Sequence, residues 1–447
     1  MENKNMTIAQ SLLKNTLART TAEIINRLGS ALFWIFVART LGLTALGVLA
    51  FGLSLFSFFH TVSTLGLGAV VIRDVAREHS KAGIYFGQTV RFGCVLAVSA
   101  TLIMLGFSRL TYTGPEAKMA ASILAAALVP ASLFYWSKSL LCAGERMPLI
   151  AVARLGENIF KVAVGIAVLV WWNGDVTGMA TVIFFSKVIS ALIAYYFASR
   201  FAKPVWKMNV TLLKYLRQMT PSFALIAMMN SLFWTAPVII LTHTAGEQQV
   251  GLFGAAYKLV DIILSFILAY GQALFPVASR SLGQSTEQFR IIINQSIKYA
   301  VRLSLPVAIA VCGLAPHIIH ILYGETMLQA SPVLRILAGM IVPFSMVPVL
   351  AYSLVSQHQQ KYDVLANSLA AMAVIALSLV LTPLYGASGA ACSVLAATSI
   401  FWAIEWVSVR SKIYGVAKWN NKPHAKPGNG HSITIKWFLK IKQAKSA

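Results

Sequence analysis

Apolar blocks of about twenty residues recur along this chain from one end to the other. Each is long enough to cross the roughly 30 Å hydrocarbon layer of a bilayer as a helix. Twelve such segments are read, at 14–38, 45–71, 84–107, 119–141, 150–172, 177–199, 218–242, 250–277, 295–316, 333–355, 363–383 and 388–409. A membrane β-barrel would show short alternating stretches instead. Charged residues make up only 11% of the chain, against about 25% in a soluble domain. The expected fold class is therefore an all-α polytopic membrane protein of about twelve transmembrane helices.

The net charge of +23 raises the question of nucleic acid. Its distribution points elsewhere. With the N-terminus placed inside, most Lys and Arg fall in inner loops and termini, and Arg39, Arg109 and Lys118 are left outside. That bias is the positive-inside rule. It predicts both termini in the cytoplasm, attraction to anionic lipid head groups, and no nucleic-acid partner. No phosphate-cradling glycine loop stands out, so no ATP and no other cofactor are expected. Cys94, Cys142, Cys312 and Cys392 lack metal-ligand spacing, and His317 and His320 have no acidic or thiol companions, so no metal is expected. The outer loops are too short for a catalytic domain, which predicts that the protein is not an enzyme.

Two stretches repeat in order. NRLGSALFW (26–34) and AMMNSLFW (227–234) end alike, and GVLAFG (47–52) has a counterpart in GLFGAA (251–256). The repeat predicts two six-helix lobes of like orientation, related by a pseudo-twofold axis along the membrane normal around a central cavity. Transporters of that build hold substrate between the halves. The expected divisions are an N-terminal lobe at 1–200, a linker at 201–217, a C-terminal lobe at 218–410 and a basic tail at 411–447.

The repeat also gives the intramembrane charges a location. At 100° per residue, Arg19 shares a face of the first helix with Glu23, Asn26 and Ser30, with Arg27 at its edge. The second helix has a stripe of Ser54, Ser57, Thr61, Thr64 and Gly68, and the fifth has Arg154, Glu157 and Lys161. Lys187 lies mid-way along the sixth. In the eighth, Lys258, Asp261, Ser265 and Gln272 form one stripe. Lys258 is about 12 Å from its helix end, too deep to snorkel easily. A bridge between Lys258 and Asp261 would neutralise both. Such charges usually face a bundle interior or a wet cavity. Bases outnumber the acids Glu23, Glu157, Asp261 and Glu405 in the spans, which predicts a basic cavity and an anionic passenger.

Several blocks carry a resemblance. ARTLGLTALGVLAFG (38–52), TLGLGAVVIRDVARE (64–78), VGLFGAAYKLVDIIL (250–264) with ALFPVASR (273–280), and HILYGETMLQASPVLRIL (320–337) resemble the oligosaccharide flippases. These are the O-antigen or exopolysaccharide exporter branch of the multidrug/oligosaccharidyl-lipid/polysaccharide superfamily. The resemblance implies transfer of an undecaprenyl-pyrophosphate oligosaccharide from the inner to the outer leaflet of a bacterial inner membrane. It implies substrate contacts from Arg19, Arg27 and Lys258, joined by Lys161, Lys187 and Asn26 of the basic cavity. The second helix has hydroxyls and His60 where relatives that flip lipid II carry an arginine. Coupling to H⁺ or Na⁺ is left open, with Asp261, Glu23 and Glu157 as candidates. The tail after 411 falls outside the resemblance, and ITIKWFLKIKQAK in it is expected to rest on anionic lipid. Two alternatives are a multidrug or cation antiporter of the same superfamily and a membrane glycan polymerase or ligase.

Overall fold

A computed structural model describes the backbone of residues 8–112, 114–172 and 174–415, and side chains within 29–411 apart from 113, 173 and 221–223. The described residues are helical nearly throughout, with no strand. The helices are α1 (Ile8–Thr64), α2 (Leu67–Arg77), α3 (Ala82–Thr111), α4 (Pro115–Ala126), α5 (Leu128–Ala143), α6 (Met147–Trp171), α7 (Val176–Phe201), α8 (Val210–Gln284), α9 (Thr286–Tyr323), α10 (Ser331–Gly339), α11 (Ile341–Ser356) and α12 (Gln360–Gly415). The described residues up to Glu405 form one compact unit, and those from Trp406 belong to another.

Three helices are really hairpins. Trp34 packs over Lys258 and Ala50 lies against Gly254, so two points of α1 touch the same turn of α8. Sixteen residues of straight helix would hold those points about 24 Å apart. The chain turns back between them at Gly42, where φ is 81° and ψ −175°. Only glycine is at ease in that conformation. α8 does the same at Gly246, φ 82° and ψ 174°, bringing the Trp234 ring within 6.1 Å of Tyr257. α12 breaks at Gly386.

Eight helical stretches are long and apolar enough to cross a membrane. Dividing the three hairpins adds three arms. α6 has the length, but Arg154, Glu157 and Lys161 lower its apolar character. Among the described residues this makes about twelve crossings, with α4–α5 and α10–α11 each forming one bent crossing. The expected segments fall on these arms with one difference. The second was expected to run on to 71, but it ends at Thr64, and Leu65 and Gly66 take positive φ before α2. α2 lies outside the crossings, with Leu67, Val70, Val71 and Val75 buried, Arg77 exposed and Arg73 half-buried.

The repeat seen in sequence has a structural counterpart. Gly47 approaches the carbonyl of Glu247, and Gly251 approaches the carbonyl of Leu43, so the two hairpins meet backbone to backbone. Each side has its own bracing tyrosine. Tyr112 at the end of α3 donates to Val48 O at 3.1 Å, and Tyr323 at the end of α9 donates to Ala255 O at 3.1 Å. Phe33 and Trp34 pack edge-on, as do Phe233 and Trp234. Large side chains such as Leu110, Trp171, Trp172, Leu384 and Tyr385 stay exposed near the helix ends on the hairpin-turn side. Exposed apolar surface with an aromatic fringe is what a lipid solvent allows. The protein is an integral membrane protein.

Candidate functional site: a basic cavity between the two halves

Five helices from both halves line a cavity of 350 Å³. α6 supplies Arg154, Glu157, Asn158 and Lys161, which recur at three- and four-residue spacing and so share one face. α7 supplies Lys187, α8 supplies Lys258 and Asp261, α1 supplies Ser30 and Trp34, and α5 supplies Phe134. α6 sits close to α1 because Gly29 has no side chain. A Cβ there would come within 2.5 Å of the Asn158 amide.

Three of the four lining bases are held in different ways. Lys187 Nζ donates to Glu157 Oε1 at 2.5 Å, an ion pair between α7 and α6. Lys161 Nζ donates to Ser30 Oγ at 3.1 Å and stands 5.6 Å from the centre of the Phe33 ring. Lys258 Nζ stands 5.5 Å from the centre of the Trp34 ring. An aromatic face or a hydroxyl steadies an ammonium without cancelling its charge. One of the two lining carboxylates, Glu157, is already engaged by Lys187. Four cations against two carboxylates leave the described lining positive by two.

The structure thus brings Lys161, Lys187, Lys258, Asp261 and Glu157 into one space, drawn from helices far apart in sequence. The bridge between Lys258 and Asp261 that the eighth-helix stripe suggested does not form within 4 Å, and Lys258 faces Trp34 across the hairpin instead. Arg19, Glu23, Asn26 and Arg27 lie outside the residues whose side chains are described, as does the basic tail. The hydroxyl stripe of the second helix is not part of the lining. Ser54, Thr61 and Thr64 donate to carbonyls one turn back in their own helix. Ser265 likewise donates to Ile262 O, and Gln272 is exposed, so the eighth-helix stripe contributes only its charged pair. Sequence reasoning missed Trp34, Phe134 and Asn158. An apolar ring beside a cationic cavity has no polar signal in sequence.

The two halves also meet at both ends of the bundle. At the hairpin-turn end, Arg39 donates to Leu322 O at 2.7 Å and to Ile321 O, capping the carbonyl end of α9. At the other end, Asp74 receives Arg73 Nε at 2.8 Å, Tyr215 of α8 at 3.0 Å and Tyr85 of α3 at 3.2 Å. Arg73 also donates to Tyr215 at 2.6 Å. Burial pushes the Asp74 carboxyl up. The hydrogen bonds from Arg73, Tyr215 and Tyr85 and the Arg73 charge outweigh that and hold it below the ordinary carboxylate range.

Residues 12–282, more than half of the chain, match the family described as "Polysaccharide biosynthesis protein". The chain belongs to that family. Residues 221–384 of this family member also match the MatE family. Its fold is similar to an inward-facing multidrug resistance MATE family transporter of the MOP superfamily, with a TM-score of 0.76 and 16% identity over 90% of this chain and 99% of the other. It is equally similar to the lipid II flippase MurJ in its inward closed conformation, with a TM-score of 0.76 and 12% identity over 90% of both chains. A curated relative is the probable low-salt glycan biosynthesis flippase Agl15 of Haloferax volcanii, 24% identical over 207 residues. That match spans 46% of this chain and 42% of the relative.

Proposed function

We propose that the protein is a flippase that carries an undecaprenyl-pyrophosphate oligosaccharide from the inner to the outer leaflet of a bacterial cytoplasmic membrane. The observation that carries this reading is the positive cavity between the halves. Sugar and pyrophosphate cross hydrocarbon only at a large desolvation cost. Lys161, Lys258 and Arg154 offer charge to the pyrophosphate, and Ser30 and Asn158 offer hydrogen bonds to sugar. The Lys187–Glu157 pair sets the width of that space. An apolar groove of 410 Å³, lined by Leu65, Phe92, Ala224, Leu225 and Met228 with Arg217 and Thr220, suits the polyprenyl tail. Family membership and the glycan flippase relative support the same reading.

The lobes at 1–200 and 218–410 rock about the Gly47–Gly251 contact, which alternates access. Opening one end breaks the Arg39 cap, and opening the other breaks the Asp74 cluster. An inside-negative potential favours outward movement of an anion by about 2.3 kcal/mol per charge per 100 mV. Asp261 lines the same cavity without bridging to Lys258 and is the candidate for a coupling cation. With an ion-gradient-dependent flip, Asp261→Asn would lose that dependence, and full retention would exclude this role.

The test uses proteoliposomes under a potassium-diffusion potential. A short polyprenyl-pyrophosphate oligosaccharide is followed between leaflets. The expected result is flipping by the wild type and at least tenfold slower flipping by Lys258→Ala. A folded wild type that moves no such lipid but exports a cationic dye would replace this reading with the multidrug one.

A further inference from the structure

A second buried ionisable site lies apart from the central cavity. Asp363 stands in the first turn of α12, and Glu405 lies on its second arm. The Gly386 turn folds the helix so that the two carboxyls come within hydrogen-bond reach. Glu405 is fully buried, and neither of its oxygens meets a donor. Asp363 is half-buried.

An ionised carboxylate only accepts hydrogen bonds. Two of them side by side in an apolar setting do not both stay ionised. A structural ion pair would need a base, and among the described residues no base acts on either carboxyl. Lys361, two residues from Asp363, stands over the Tyr362 ring at 5.2 Å. Among the described residues, the charged group acting on each member is therefore the other.

We propose that Asp363 and Glu405 form a proton-binding site, with one proton shared between them, Asp363 as the entrance and Glu405 as the buried acceptor. A proton joins the two arms of α12 through an O–H···O bond. Its departure leaves two like charges facing each other and drives the arms apart. The site requires nothing of the passenger in the central cavity, so it stands or falls apart from the flippase reading.

The test is infrared spectroscopy of the purified full-length protein at pH 7, in H₂O and D₂O. The wild type should show a protonated-carboxyl C=O band that shifts in D₂O. Glu405→Gln should lose that band. Asp363→Asn should keep a band at a shifted frequency, because the partner of Glu405 has changed. This second variant tests the pair even if Glu405→Gln fails to fold. No band in the wild type, or the same band in wild type and either variant, overturns the proposal. Replacing a choline salt by NaCl should leave the band in place. Its disappearance would make the pair a metal-cation site instead.

Discussion

Among single residues, the four cavity bases differ most in what removing them should do. Lys187 is locked to Glu157 at 2.5 Å, whereas Lys258 rests on an indole face. Removing one partner of a charged hydrogen bond leaves the other unsatisfied, at a cost of about 1.5–3 kcal/mol. Lys187→Met should therefore lower the detergent melting temperature, while Lys258→Met should leave it close to wild type. Equal melting of the two variants would show that the Lys187–Glu157 pair is solvated and contributes little. Asp74 is a second residue with a distinct signature. Its carboxyl is held below the ordinary range in the folded protein. Its contribution is then complete above the unfolded carboxylate value of about 3.9. It is lost as pH falls through the lower folded value. A spin-label pair across α2 and the start of α8 should keep its distance from pH 8 to 5 and lengthen in more acid. In Asp74→Asn the longer distance should be present at neutral pH.

At the scale of elements, the hairpin breaks are the critical joints. Gly42 and Gly246 hold φ near 80° with ψ near 180°. A side chain in that region costs on the order of 1–3 kcal/mol. Gly42→Ala and Gly246→Ala should each destabilise by that amount, read from thermal unfolding in detergent. Gly47 and Gly251 act differently, since their backbone is ordinary helix and only the neighbouring backbone crowds them. Gly47→Val should leave the hairpin intact and push the halves apart at the turn end. The readout is a longer distance between labels on the two turns, with little change in melting. A collapse in melting would mean that this contact is a fixed part of the core.

For the whole molecule, the decisive property is the sign of the cavity. The double variant Lys161→Glu, Lys258→Glu changes four lining bases and two acids into two bases and four acids, so the net moves from +2 to −2. Binding of inorganic pyrophosphate should fall at least tenfold, and binding of a lipophilic cationic dye should rise. Retained pyrophosphate binding would place the anion site elsewhere in the chain.

The solvent and the crossings were already written in the order of residues. Long apolar blocks leave a chain no other way to satisfy its backbone than to form membrane helices. The repeat was legible at Trp34 and Trp234 and at Gly47 and Gly251, because close helix contact and sharp turns restrict residue type. Helical spacing also placed Arg154, Glu157 and Lys161 on one face. Which charge meets which partner depended on the packing of distant helices. Lys187 meets Glu157 across two helices, Lys258 meets Trp34 across two hairpins, and Asp363 meets Glu405 across the Gly386 turn. Periodicity states which side of a helix a charge occupies, while the packing of that helix against distant ones states what the charge faces. That is why the sequence left a Lys258–Asp261 bridge open, while the fold sets Lys258 against Trp34 instead.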